Sequence, residues 1–482
     1  MEKAVTAPRL SRTSPPPYRT GIVHLGLGAF FRAFGAIYVA EAMARSGGDW
    51  GILGVSLRSA ATRDALAPQG NLYTALELAP AGERARQVDV LTGVLVAPEN
   101  RDAVLAAMVD PAVKIVSLTV TEKGYCHVPA TGALDLDHAD IVHDCSAALP
   151  VSAPGFIVRA LARRRAAGLR PFTVLSCDNL PGNGRLTRNV VLALARLIDP
   201  TLADWIAAEG RFPSTMDDRI VPATKANDIA RLAALTGCYD AAPVVHEPFR
   251  QWVVEDDFVG GERPDLAAVG VRLVADVTPY EDMKLRLLNA THSALAYLGF
   301  LAGHETIADT VADPPFAVYV RQLWRAEIIP ALVPPPGEDL AAYAAALFAR
   351  YANPAIRHRT AQIASDGSQK LRPRLFATLA ANAAAGRPSP GLMLAIAGWM
   401  RYVGGLDEAG RAIAVSDPHA DALRALSDSA VSPATKAEAL LGFRPVFPAD
   451  IAALLHDGVV EAAERLDRLG ARAAVAALIK ES

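Results

Sequence analysis

Between residues 21 and 277, short runs rich in valine, isoleucine and leucine alternate with helix-length stretches, and that alternation leaves few architectures open. The runs Gly21–Leu25, Ile52–Leu57, Ile115–Val120, Phe172–Ser176 and Val271–Val274 have strand length, and helical patterns such as Phe156–Ala167 separate some of them. Strand, helix and strand in succession is the unit of a parallel sheet with crossover helices. From about Pro279 the pattern changes: alanine and leucine recur at helical spacing and strand-like runs nearly vanish. The sequence therefore predicts an α/β chain with a polar N-terminal arm (1–20), a doubly wound parallel sheet (21–277) and a mostly α-helical C-terminal domain (278–482).

Charge and hydropathy remove several classes of function. The net charge of −3 gives no footprint for nucleic acid or an anionic membrane. The longest apolar runs, such as GLMLAIAGWM, are too short to span a bilayer. The N-terminal MEKAVTAPRLSRTSPPPYRT has no apolar segment of the kind that directs secretion. The four cysteines (Cys126, Cys145, Cys177, Cys238) form no CxxC pair, so neither a metal knuckle nor a disulfide framework is expected, and a reducing cytoplasm is the expected setting.

The first strand runs into IVHLGLGAFFRAF. Gly26 and Gly28 give G-x-G, with Phe31 where the third glycine of a dinucleotide fingerprint would stand. A tight turn there still lets backbone N–H groups meet a pyrophosphate, which makes the sheet Rossmann-like and marks Gly26, Gly28, Phe30 and Arg32 as candidate cofactor positions. The second strand ends in Arg58 rather than the acid that commonly holds an NAD ribose, so NAD is the expected cofactor with NADP possible.

Ligands of open parallel sheets bind beyond the carboxyl ends of the strands. Two loops stand there: Thr121-Glu122-Lys123-Gly124-Tyr125, and Asp178-Asn179-Leu180-Pro181-Gly182, the second equally good as plain turn chemistry. Farther on, Thr278-Pro279-Tyr280-Glu281 reads as a helix start with Thr278 as cap. In the helix that follows, Lys284, Asn289 and His292 fall within a sector roughly 140° wide at about 100° per residue, shared with Leu288 and Leu295. A desolvated lysine suits general acid–base work near neutral pH, and an amide can donate to an oxygen gaining charge. A partly exposed lysine beside a satisfied core histidine fits the spacing equally well.

LRLLNATHSALAYLG, SCDNLPGNG, HEPFRQWVVEDDF, FPSTMDDRIVPA and IVSLTVTEKGY resemble the long-chain polyol (mannitol) dehydrogenase family over essentially the whole chain. TEKGY, LARRRAAGLRPFTVLSCDN and NPAIRHRTAQIASDGSQKL resemble its fructuronate reductase, or D-mannonate oxidoreductase, branch. The resemblance implies a metal-independent, nicotinamide-dependent interconversion of a keto sugar and its secondary alcohol. It makes Lys284 the proton donor and acceptor, places Asn289 and Asn179 on the reacting oxygen, and has His292 and Asp218 contact or orient the substrate. Asp178 joins the cofactor set. Asp217 stands where family members commonly carry valine, and so either repels an anionic substrate or turns away from it. A hexuronate needs a cation for its carboxylate, and Lys123, Arg359 and Lys370 are the candidates. The alternatives are a mannitol 2-dehydrogenase, another polyol or tagaturonate oxidoreductase, or, from a different class, a dinucleotide-binding protein without catalysis.

Overall fold

The computed structural model describes residues 7–129 and 131–481. The chain divides into two compact units, Met1–Thr278 and Pro279–Ser482. Five strands form the central sheet of the first: β1 (Thr20–Leu25), β2 (Gly51–Ser56), β3 (Leu91–Val96), β4 (Ile115–Leu118) and β5 (Thr173–Ser176). Their order is β3-β2-β1-β4-β5, and every neighbouring pair is parallel. The order reverses between β1 and β4, so the carboxyl ends of those two strands flank the crevice in which such sheets bind ligands.

Helices cover both faces, so the strands read as continuous apolar runs instead of alternating ones. One polar pair interrupts them. His24 on β1 is fully buried and lies in register with Ser117 on β4. Its Nδ1 is 2.9 Å from Ser117 Oγ and its Nε2 3.0 Å from Thr119 Oγ1, and burial lowers its pKa to about 3. Phe31 stacks on this neutral ring, centroids 3.4 Å apart and planes within 8°. The residue replacing the third glycine thus serves as a lid on a buried imidazole. The helix pays in continuity: Ala29–Ala33 stops at Phe34 (φ −130°, ψ −86°) and a second helix runs Gly35–Ser46.

Strands that sequence did not reveal are the hairpin Tyr73–Ala79/Gly82–Val88 with Val244–His246, the sheet edge β3, and Thr215–Asp218 with Gln251–Glu255. Gly82–Val88 (GERARQV) is exposed over nearly its whole length, so no hydrophobic alternation betrays it. The expected strand at Val271–Val274 is Arg272–Val274, but it belongs to the small mixed sheet beside Gln251–Glu255 and not to the parallel one. The arm is docked over residues 7–19: Leu10 is buried and donates to Tyr239 O, and Arg12 donates to Gly70 O.

The second unit is helical, and among the described residues its only β pairings are isolated bridges. Among the same residues no helix is long and apolar enough to cross a membrane. Buried Glu327 accepts from the N–H groups of Gly391 (2.8 Å) and Leu392 (2.9 Å) at the start of the helix Pro390–Val403. Desolvation outweighs these two bonds and raises its pKa from 4.5 to about 7. A carboxyl that holds its proton more tightly when folded contributes stability that is complete below about pH 4.5 and is lost as pH rises through about 7, worth roughly 3 kcal/mol in all. Glu327→Gln should therefore flatten the stability difference between pH 5 and pH 8, measured by thermal or urea unfolding of both proteins.

Candidate active site

In the second unit the site is built on an irregular helix. Thr278–Met283 is α-helical, Lys284–Asn289 is a π-helical turn, and Ala290–Leu301 is α-helical again. Thr278, expected as the cap, is the first helical residue, and Asp276 Oδ1 accepts its N–H at 2.9 Å. A π turn advances fewer degrees per residue than an α turn. It therefore brings Lys284 and Asn289, five apart, closer to one line than regular α spacing predicts. Lys284, Asn289 and His292 are each 8% exposed.

Widening the turn takes carbonyls out of the i→i−4 ladder, and side chains from other helices satisfy them. Trp324 Nε1 donates to Leu287 O at 3.0 Å, Tyr351 Oη to Leu288 O at 2.8 Å, and Arg374 to Asn289 O at 3.3 Å. Thr291 Oγ1 donates to Leu287 O as well. Arg374 also donates to Ser293 Oγ at 2.8 Å, one turn further on. His292 stacks on Tyr351, and its pKa falls well below the usual value through burial, with His358, Arg374, Arg350 and Lys370 adding to the shift.

In the first unit, Gly26 turns the chain out of β1 at φ +87°, and a Cβ there would lie 2.2 Å from Thr119 O, so this turn requires glycine on both counts. Thr121, at the end of the β4 loop, has φ +64° although it is β-branched. Asp178 holds it: Oδ1 accepts the Thr121 N–H (3.0 Å), and Oδ2 accepts the Val120 N–H (2.9 Å) and the Tyr125 hydroxyl (2.7 Å). Asn183 then ties this loop to the next strand. It is fully buried, donates to Asp178 O and Thr215 O, and accepts the Thr215 N–H.

Several expectations change. Asp178 braces two strand ends with its carboxylate, a structural duty. Arg32 is buried, donates to Ala242 O and lies over the Tyr73 ring, so it is not free to face phosphates. Arg359 is 61% exposed and pairs with Glu305 at 3.2 Å, which makes it a surface charge. Lys370 is half-buried; its ammonium donates to the carbonyls of Ile363 and Ser365, and burial, followed by Arg374, lowers its pKa to about 8. Lys123, Arg58 and Asn179 are exposed, and Phe30 stacks near Phe34. Asp217 and Asp218 are consecutive on the strand Thr215–Asp218 and so face opposite ways, Asp217 on the Thr215 side. Sequence reading missed Asn183, Tyr351, Trp324 and Arg374. Only the second asparagine of DNLPGNG carried a signal, since GN-G at a helix start invites a buried amide.

Comparison with known proteins fixes the family. The mannitol dehydrogenase Rossmann domain model matches residues 20–268, and the mannitol dehydrogenase C-terminal domain model matches 276–467. The chain belongs to the mannitol dehydrogenase family. It is 46% identical to the uncharacterized oxidoreductase YdfI of Escherichia coli K12 (94% of each chain) and 45% identical to D-mannonate oxidoreductase of the same organism (95% of each). It is 44% identical to mannitol 2-dehydrogenase of Cereibacter sphaeroides over 88% of each chain. The solved ternary complex of Pseudomonas fluorescens mannitol 2-dehydrogenase with NAD and D-mannitol superposes with TM-score 0.87 at 38% identity, covering 99% of this chain and 98% of that one. The protein is an oxidoreductase of CH–OH groups with a Rossmann-like α/β domain and a helical C-terminal domain.

The bracing role of Asn183 has a measurable consequence. Asn183→Ala strands the Thr215 N–H, at about 1–3 kcal/mol for a buried group left unpaired, and removes one donor each from the carbonyls of Asp178 and Thr215. Its denaturant midpoint should drop clearly, whereas Asn179→Ala, a change at an exposed loop position, should leave it nearly unmoved.

Proposed function

We propose that this protein is an NAD-linked reductase of a keto sugar acid, with D-fructuronate to D-mannonate as its reaction and Lys284 as its proton-transfer group. The observation that carries the reading is the side-chain-capped π turn, which spends three carbonyl contacts on holding Lys284 and Asn289 in a buried, fixed relation. NAD fits the first unit: the glycine turn leaves β1 at the switch point, and around Gly28 a Cβ would meet nothing closer than 3.7 Å, room for close approach of a pyrophosphate. Gly26, Gly28 and Phe30 would hold it, with Arg58 near the adenosine ribose. The nicotinamide supplies the hydride when bound.

The chain's own residues do the rest. Lys284 Nζ gives a proton to the carbonyl oxygen as it becomes an alcohol, and takes it back in oxidation. Asn289 and Asn179 donate N–H groups to that oxygen while it carries developing charge. His292 and Asp218 hold substrate hydroxyls. Lys284→Ala should lower turnover by roughly 10²–10⁴-fold while the fold is kept, and a variant of near-normal turnover would remove the assignment.

The acid end of the substrate falls to Lys370 and Lys123, now that Arg359 is accounted for by Glu305. Lys370 is charged below about pH 8 and neutral above it. The ratio of kcat/KM for fructuronate to that for fructose should therefore fall as pH rises past about 8, because groups common to both substrates cancel. Lys370→Met should lower that ratio by roughly 10–150-fold and remove its pH dependence. If the unmodified enzyme prefers fructose or mannitol, the mannitol 2-dehydrogenase reading, supported by the 44% identical relative, replaces this one.

A further inference from the structure

We propose that His24 is a positioning residue for the dinucleotide: its Nε2–H donates to Thr119 Oγ1, whose own hydrogen goes to the carbonyl of Gly26, and this relay holds the glycine turn in the shape that takes the cofactor. The direction follows from the acceptors. Thr119 Oγ1 lies 2.9 Å from Gly26 O and 3.0 Å from His24 Nε2. A carbonyl oxygen can only accept, so the single hydroxyl hydrogen of Thr119 is given to Gly26. Thr119 Oγ1 then has only lone pairs left for His24, and Nε2 carries the hydrogen between them. Burial lowers the His24 pKa to about 3, against a raising contribution from a hydrogen bond to the Gly26 backbone, so the ring is neutral and turns its donor toward the turn. A neutral imidazole has one N–H, and Nδ1 therefore accepts from Ser117 Oγ, 2.9 Å away. Under that one assignment both ring nitrogens and both hydroxyls are partnered, as burial demands.

The turn is the part of this segment least able to hold itself. Gly26 and Gly28 lie two apart, and glycine loses more conformational freedom on ordering than any other residue. Besides the Thr119 hydroxyl, the Gly26 carbonyl accepts the Gly28 N–H at 2.7 Å. The oxygen that Thr119 grips is therefore the one that sets where Gly28 stands. Thr119 also donates its backbone N–H to Leu25 O at 3.0 Å, so it holds the end of β1 twice. The register between β1 and β4 ends at Leu25 and Leu118. Beyond that point, at the switch point of the sheet, the relay continues the connection through side chains. A backbone ordered in advance asks nothing of a ligand, whereas a turn freed of the relay leaves its ordering to be met on binding.

The parts lie far apart in the chain and are brought together by strand pairing. Ser117 and Thr119 are two apart, so both side chains leave β4 on one face, and His24, in register with Ser117, meets them there. Phe31 stacks on the imidazole with centroids 3.4 Å apart, and the ring is fully shielded from solvent. Water therefore does not compete for the Nε2–H or for the Thr119 hydroxyl bond. The histidine of IVHLGLG and the serine and threonine of IVSLTV thus form one device, with Phe31 as its cover. Its effect on affinity rests on the reading of Gly26 and Gly28 as the pyrophosphate turn; the direction of its hydrogen bonds does not.

The test uses the full-length protein and NADH. Thr119→Val keeps the shape and removes the hydroxyl. It should raise the NADH dissociation constant about 3–10-fold, the range of one lost hydrogen bond. The KM for NADH should rise with it, while turnover at saturating NADH is nearly kept. Thr119→Ser should bind as the unmodified protein does. His24→Leu should weaken binding to a similar degree, and His24→Gln, whose amide nitrogen reaches toward the place of Nε2, should recover part of the loss. Both losses break one relay, so the double variant His24→Leu/Thr119→Val should bind no worse than His24→Leu alone. Spectra of ¹⁵N-labelled histidine, with His24 assigned by loss of its signals in His24→Gln, should show a neutral ring protonated on Nε2. Gly28→Val reports on the turn separately. Gly28 has extended backbone (φ −92°, ψ −177°) and a Cβ there would meet nothing closer than 3.7 Å, so the chain accepts a side chain that a pyrophosphate would not. His24 protonated on Nδ1, or unaltered NADH affinity in Thr119→Val beside weakened affinity in Gly28→Val, would overturn the proposal. Normal NADH affinity in Gly28→Val would instead take the turn away from the pyrophosphate, and the positioning role with it.

Discussion

The π turn at Lys284–Asn289 is the constraint on which the second unit is organised. An extra residue in a helical turn weakens the local ladder and leaves carbonyls facing outward, so it survives only where the surroundings compensate. Here the compensation comes from three separate places in the chain, Trp324, Tyr351 and Arg374, each donating to one of three consecutive carbonyls. Two of these donors themselves stand on π turns, Leu323–Ile328 and Arg372–Phe376. The irregularities therefore support one another: each re-aims a side chain that a straight helix would direct elsewhere. Residues of the candidate site, Lys284, Asn289 and His292, inherit their positions from this arrangement.

How much of this could be read from sequence follows from how local each signal is. The parallel sheet was legible because both of its faces are covered, so that β1, β2, β4 and β5 appear as mainly apolar runs without strict alternation. The hairpin of Tyr73–Ala79 and Gly82–Val88 was not, since its outer strand is exposed up to its last residue and its pairing partner Val244–His246 lies far along the chain. The polar set on the Lys284 helix was legible as a departure from helical periodicity. The π turn was not, because nothing in KLRLLN distinguishes it from an ordinary turn; its cause lies in Trp324, Tyr351 and Arg374, tens of residues away.

Charged residues were the least legible, for a physical reason. A sequence shows that a cation exists but not what already satisfies it. Arg32, Arg359 and Asp178 each stand at positions suited to a ligand, and each is engaged by protein: Arg32 by a carbonyl and an aromatic face, Arg359 by Glu305, Asp178 by three donors. Burial makes such engagement close to obligatory, because an unpaired buried charge is far more costly than a missed contact with a ligand. Asp217 makes the same point in reverse. Its proximity in sequence to Asp218 suggested repulsion of an anionic substrate, and the two-residue period of a strand removes that neighbourhood altogether.

These pairings also narrow the chemistry. Burial first, and then His358, Arg374, Arg350 and Lys370, hold the pKa of His292 well below its usual value. His292 is thereby limited to the hydrogen bonding of a neutral ring, and it cannot act as the acid that protonates a carbonyl. Among the polar groups on this helix face, an amide is equally unable to exchange a proton at neutral pH. The amine of Lys284 is the group left that can exist in both protonation states, which is the physical reason for placing acid–base work there and hydrogen bonding on Asn289 and His292. Burial, followed by the charge of Arg374, lowers the pKa of Lys370 in the same unit to about 8. In the proposed reaction the cationic side chains attract an acidic sugar, while burial, with those charges adding to it, keeps the imidazoles beside them neutral.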